Sequence, residues 1–131
     1  MEVQSTFFAP QLYLTNVAAA MEFYNKAFDA IELRRWKNED GSVHVAELFI
    51  DGALFHLHED VPGKNEVSPE KLMGTTVVIG LFVMDPDKVM TKAIAAGGKE
   101  KSPVKDYEYG YRQGSFTDPF GHHWLIEKKI D

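Results

Sequence analysis

Two histidines stand two residues apart at His56-Leu57-His58, with Glu59 directly after them. Residues at that spacing on a strand project from the same face. Two such imidazoles can share a divalent ion, with Glu59 and His123 as further donors, or can fix hydrogen bonds in a ligand pocket. We adopt the second reading, with His56 as a hydrogen-bonding residue inside a pocket and His58 at its rim. His122 and His123 follow a turn, and His123, which shares a face with Leu125, is the better pocket candidate of the two. His44 shares a strand with Ala46 and Leu48 and reads equally well as a plain sheet residue. Glu47 and Asp118 show no partner in the sequence and receive no acid–base role. Other chemistries are excluded by what the chain lacks. It has no cysteine, hence neither disulfide, thiolate nucleophile nor cysteine zinc site. It has no Ser-His-Asp arrangement, phosphate-binding glycine loop or metalloprotease helix.

The elements that must position these side chains follow from periodicity. Phe7 to Leu14 predicts a strand, irregular at Pro10. Asn16 predicts a helix cap, and Val17, Ala20, Met21, Tyr24, Ala27 and Phe28 fall on one helical face. Strands follow at Ile31 to Lys37 and Val43 to Ile50. Asp51-Gly52 is a two-residue hairpin signal that leads into Ala53 to His58. Pro62, Gly63, Ser68, Pro69 and Gly74 mark residues 59–74 as a mobile connector. The order then returns: a strand over Thr76 to Val83, then Asp85-Pro86 opening a helix with a Val89, Met90, Ala93 and Ile94 stripe. Gly97-Gly98 ends that helix, and strands follow near Lys99 to Val104, Tyr111 to Thr117 and His122 to Lys128. Asp118-Pro119-Phe120-Gly121 has the residue preferences of a type I turn.

The return is an internal duplication. Gly52 and Gly121 lie 69 residues apart, and the same offset lays Asp85 on Asn16 and Ala96 on Ala27. The expected architecture is α+β, with two tandem βαβββ modules whose curved mixed sheets carry helices on their convex sides and leave a concave pocket. Module one covers about 7–58 and module two about 75–129, within a single domain of 131 residues, of which 44% are apolar. The net charge of −6, with basic residues scattered, disfavours a nucleic-acid partner. The longest apolar run, Val77 to Met84, is too short to span a bilayer, and the N-terminus lacks a basic signal region. A cytoplasmic protein with no membrane partner is expected.

Phe23-Tyr24-Asn25-Lys26-Ala27-Phe28-Asp29-Ala30 resembles the first-helix ending of the vicinal oxygen chelate superfamily, with Asp29 where a glycine is usual. Asp118-Pro119-Phe120-Gly121-His122-His123-Trp124 resembles that superfamily's late hairpin. With His44-Val45-Ala46-Glu47-Leu48, the combination looks most like the PhnB-like branch of this group of glyoxalase, bleomycin-resistance and dioxygenase proteins. The resemblance covers about Phe7 to Lys128. It implies four metal-ligand positions, which counting places at Ala9, His56, Val78 and Leu125. Only His56 is a competent ligand; Gln11, two residues beyond Ala9, would require a bulge. No metal cofactor is therefore expected.

The concave surface is expected to present Gln11, Tyr13, Trp36, His56, His58, Phe82, His123 and Leu125, together with Ala9, Leu54, Val78 and Gly80. This apolar and aromatic list with a few hydrogen-bonding groups has the make-up of a small-molecule pocket. Tyr107, Tyr109 and Tyr111 around Gly110 are open to three readings: sheet surface, dimer contact or lid. The leading expectation is metal-independent binding of a small hydrophobic or aromatic molecule by a homodimer, in the PhnB-like or bleomycin-resistance manner. The alternative is a glyoxalase-type lyase or isomerase with a rearranged metal site around His56, so enzymatic activity stays an open question at this level. A third reading is a closed scaffold used for protein contact.

Overall fold

Asn16 and Asp85 open the two long helices in the same way. Asn16 Oδ1 accepts from the Ala19 amide at 3.0 Å, and Asp85 Oδ1 accepts from the Lys88 amide at 3.1 Å, each relieving an orphan N–H of the first turn. Pro86 occupies the first turn of the second, where its missing N–H costs nothing. The first helix, α1 (Val17–Phe28), ends at Asp29, whose φ of 57° is the left-handed conformation that glycine usually supplies. The computed structural model describes residues 5–131.

Around α1 run β1 (Gln11–Leu14), β2 (Ile31–Lys37), β3 (Val43–Ile50) and β4 (Ala53–Glu59). A short helix, α2 (Pro69–Leu72), follows. The second module repeats the order with β5 (Val78–Phe82), α3 (Pro86–Ala96), β6 (Lys99–Tyr107), β7 (Tyr111–Thr117) and β8 (His123–Lys129). Each module forms a four-stranded mixed sheet, ordered β1-β4-β3-β2 and β5-β8-β7-β6. One edge pair is parallel in each, β1 with β4 and β5 with β8, and the remaining pairs are antiparallel. This is the expected α+β architecture of two tandem βαβββ modules.

Several expectations are corrected. The first strand is four residues long and begins after Pro10, whose carbonyl accepts from His56 N at 2.9 Å. Pro103 is accommodated inside β6 because that strand is a sheet edge and its pairing is interrupted between Ser102 and Lys105. The connector contains α2, tied down by Asp60: its Oδ2 accepts from Ser68 N at 2.9 Å and its Oδ1 meets Lys71 Nζ at 3.0 Å. Ile94, expected in the buried stripe of α3, is 37% exposed, while Met90 and Ala93 are buried.

One core serves both modules. α1 packs against α3, and the inner faces of the sheets close around them. Phe28 lies 4.8 Å from Trp124 between ring centroids, and Tyr24 lies 5.5 Å from both Trp124 and Phe55. At the centre is Asp118, only 3% exposed. Its Oδ2 accepts from Tyr24 Oη at 2.5 Å and from Trp124 Nε1 at 2.9 Å, while Oδ1 accepts from the amides of Phe120 and His122 at 2.9 and 3.0 Å. Burial, then the Asp118 carboxylate, push the Tyr24 phenol well above its ordinary pKa, so it remains a donor. His122 Nε2 adds a bond to the Tyr13 carbonyl at 2.9 Å.

Removing a buried acceptor strands its donors without water, which is far more costly than an average hydrogen bond is stabilising. Asp118→Ala is expected to lose about 3–5 kcal/mol of stability. Tyr24→Phe, which leaves the carboxylate three donors, should lose about 1–2 kcal/mol, both read from urea unfolding midpoints.

Candidate functional site

Packing the helices between the modules leaves the outer face of each sheet uncovered. Alternation along β4 sends Phe55 and Leu57 into the core and Leu54, His56 and His58 to the open face; β8 does the same with Trp124 and Ile126 against His123, Leu125 and Glu127. Cross-strand register then builds rows. On the first sheet one row is Gln11, His56, Glu47 and Arg34, and the next is Tyr13, His58, Val45 and Trp36. On the second sheet the matching rows are Gly80, Leu125, Ser115 and Ser102, then Phe82, Glu127, Gln113 and Lys105.

Gln11, not Ala9, therefore stands beside His56, and Ala9 lies before β1. No bulge is required, because the strand simply starts later than expected and the parallel register is set by the Pro10–His56 bond. The second module obeys the same register, pairing Gly80 rather than Val78 with Leu125, while Val78 pairs with His123.

The first face is a connected polar and aromatic surface. His56 Nε2 lies 3.2 Å from Glu47 Oε2, so the carboxylate left without a partner at the sequence level has one. His58 Nε2 bonds Gln11 Oε1 at 2.7 Å, which requires the imidazole to donate. Tyr13 stacks on His58 at 5.1 Å and donates its hydroxyl to Glu66 Oε2 at 2.9 Å. Desolvation, assisted by the neighbouring imidazoles of His56 and His44, lowers the pKa of His58 and favours its neutral form. At the far edge the Arg34 guanidinium lies 4.4 Å over the ring of Trp36. His44 faces away from this surface, with Nδ1 2.8 Å from Glu59 Oε1, so Glu59 is not available to His56 and His58.

Phe82, His123 and Leu125 belong to the second face. Phe82 packs edge-on to Tyr111 at 6.1 Å, and His123 Nδ1 lies 3.0 Å from Lys101 Nζ. Burial, then that ammonium, lower the pKa of His123. Among the described residues, no hydrogen bond or ring contact joins Phe82, His123 or Leu125 to the first group of expected pocket residues. The eight expected site residues thus divide between two open sheet faces. A cavity of about 570 Å³ lies at the junction of the modules, with Phe82 of the second face among its lining residues.

Glu127 was not among the expected residues. It is 7% exposed, accepts from Gln113 Nε2 at 2.9 Å, and Gln113 Oε1 in turn accepts from the Tyr109 hydroxyl. Gly80 makes room for it, since a Cβ there would come within 2.7 Å of Glu127 Oε2. Desolvation raises the Glu127 pKa, opposed by the Gln113 bond. The sequence signal was the period of two through His123, Leu125 and Glu127. A metal shared between the faces is a poor fit to this donor set: beside His56 and Gln11, the matching positions are Gly80 and Leu125, which offer no side-chain donor. Among the described residues, no group of three His, Asp or Glu side chains is gathered for a metal.

A carboxyl whose folded pKa lies above its ordinary 4.5 stabilises the fold most below that pH and loses the contribution as pH rises through the folded value. Glu127→Gln should therefore raise the melting temperature at pH 7 by roughly 3–5 °C. The gap between variant and parent should close as pH falls toward 4.5, which thermal unfolding across pH will read.

Comparison with known proteins agrees with this fold. Residues 7–126 match the Glyoxalase/Bleomycin resistance protein/Dioxygenase superfamily. An uncharacterized protein of Mycobacterium bovis is 39% identical over 125 residues, covering 93% of this chain and 82% of its own. The crystal structure of an Arabidopsis thaliana gene product superposes with a TM-score of 0.70 at 29% identity, covering 94% of this chain and 98% of its own. The fold is shared with TioX from Micromonospora sp. ML1, at a TM-score of 0.74 and 19% identity over 96% of this chain and 98% of that one. It is shared also with the fosfomycin resistance protein FosX of Listeria monocytogenes, at 0.69 and 16% over 96% and 94%.

Proposed function

From a chain that belongs to the glyoxalase/bleomycin resistance/dioxygenase superfamily, we infer a cytoplasmic, PhnB-like protein that binds a small hydrophobic or aromatic molecule without a metal. The observation that carries this reading is the first open face, where stacked Tyr13 and His58 stand beside His56 and each ring is held by its own partner, Glu66, Gln11 or Glu47. Rings fixed in advance lose little freedom when a planar ligand stacks on them, so apolar burial is converted into affinity rather than spent on ordering. Glu47 and Glu127 favour a ligand that carries hydrogen-bond donors or a positive charge.

A homodimer completes the reading. Val78 and Phe82 on the second face are 56% and 58% exposed, and Trp36 on the first is 37% exposed. Apolar surface of this kind is stabilised by cover. Placing the first face of one copy against the second face of another encloses the two sets of rows in one pocket, with Gly80 and Leu125 opposite His56 and Gln11.

Trp124 is buried at 2% exposure, so ligand-dependent quenching of tryptophan emission reports on Trp36. Titration with benzamidine and with naphthalene should give saturable quenching that is weakened about tenfold by His58→Ala, a loss of about 1.4 kcal/mol. Light scattering should give a dimer, and elemental mass spectrometry should find metal well below one per chain. One metal per chain or per dimer, with turnover of the methylglyoxal–glutathione hemithioacetal that His56→Ala abolishes, would instead establish the glyoxalase-type lyase.

A further inference from the structure

The two modules meet at two junctions related by the internal duplication, and the second is the more open, with a cavity of about 570 Å³ against about 340 Å³ at the first. At the first, the turn after β7 is pressed against α1 and β1. Phe120 packs on Phe23 at 6.1 Å and on Tyr24 at 6.4 Å, and His122 reaches the Tyr13 carbonyl. The connector lies over it, so close that a Cβ on Gly121 would meet Pro69 Cβ at 2.8 Å. At the second junction the turn after β3 faces α3 and β5. By the 69-residue offset, Asp51 stands for Phe120, Ala53 for His122, Lys92 for Phe23 and Ala93 for Tyr24. Every large plug of the first junction is replaced by a smaller or charged group. The result is the cavity of about 570 Å³, a volume suited to a small molecule.

Its wall and rim differ in chemistry. Phe28, Ile50, Leu81, Val83 and Val89 make an apolar wall. Lys88, Lys92, Lys128 and Lys129 stand at the rim with Asp29, Asp51 and Asp85. Lys92 is held by Asp29 at 2.5 Å, and the Asp85 carboxylate caps α3. Lys88, Lys128 and Lys129 make no ion pair among the described residues. The contrast with the first junction is one of sign. There Glu59 and Asp60 occupy the positions of Lys128 and Lys129, and Asp60 holds the connector through Lys71 and the Ser68 amide. Asp60 holds the connector at one junction, and Lys128 and Lys129 stand beside an open cleft at the other, in a chain whose net charge is −6.

We propose that this second junction is a binding site for a small amphipathic carboxylate, its alkyl body in the cleft and its carboxylate at Lys88 and Lys128. The site shares Phe82 with the second open face but does not depend on the reading given for the faces.

Octanoate, with octan-1-ol as its uncharged counterpart, tests the proposal by nitrogen–proton correlation spectra of the full chain. Octanoate should bind saturably and shift the amides of Val83, Lys88, Val89 and Lys128, and octan-1-ol should bind at least tenfold more weakly. The double variant Lys88→Glu, Lys128→Glu, at exposed or half-exposed positions, should weaken octanoate at least tenfold. Ala53→Phe, which restores bulk at the place held by His122 in the first junction, should block it without lowering the melting temperature. Shifts centred on His56 and His58, equal affinity for acid and alcohol, unchanged affinity in the lysine variant, or no saturation would each overturn the site.

Discussion

The arrangement of the two modules depends on one buried carboxylate. Asp118 sits at the head of the second module's central hairpin, and all of its bonding capacity is turned inward to Tyr24 of the first module, to Trp124 of its own, and to two amides of its turn. A charge in that position is tolerable only when every lone pair has a donor. Satisfying it obliges α1 to pack across the module boundary, and the aromatic cluster of Tyr24, Phe28, Phe55, Phe116 and Trp124 closes around the bond. Both helices are thereby consumed in a shared interior. The opposite face of each sheet is turned outward, and there His56, His58, His123, Glu47 and Glu127 are found.

Duplication followed by local divergence explains where chemistry accumulates. The modules share strand order, a parallel edge pair and helix caps. Their faces differ: His56 answers to Leu125, Gln11 to Gly80, and Glu47 to Ser115. One face is polar, with aromatic rings fixed by hydrogen bonds. The other is mixed, with Val78, Phe82 and Leu125 beside Ser115, Gln113 and the buried Glu127. Burial of Glu127 opposes folding at neutral pH, and a fold retains such a group most readily where a ligand uses it. The junctions diverged in the same way, one filled by Phe120 and His122, the other left open by Asp51 and Ala53.

Much of the fold was legible because its signals are local. A capping Asn16 or Asp85 followed by a stripe at helical spacing specifies a helix without reference to the rest of the chain, and Asp51-Gly52 specifies a tight hairpin through the positive φ that both residues adopt. Three things were misread or missed. The first strand begins at Gln11 rather than Phe7, since flanking residues 7–10 have no neighbour to pair with except the single bond through Pro10. The connector holds α2 because Asp60 and Lys71 meet in space. Glu127 was missed because its burial depends on Gly80 and Gln113, which only the folded sheet brings against it.

The sequence by itself determined the order of the eight strands and two long helices, the duplication, the boundaries of those helices within a residue or two, and which side chains alternate to the same face of each strand. These follow from backbone preferences and from periods of two and 3.6, which act over a few neighbouring residues. Only the tertiary structure decided that Gln11 lies beside His56, that Glu47 is the partner of that imidazole, that Asp118 holds the modules together, and that one junction is left open. Each of those depends on strand register or on contact between residues far apart in the chain. Such contacts are chosen by the packing of the whole core, and no local pattern encodes them.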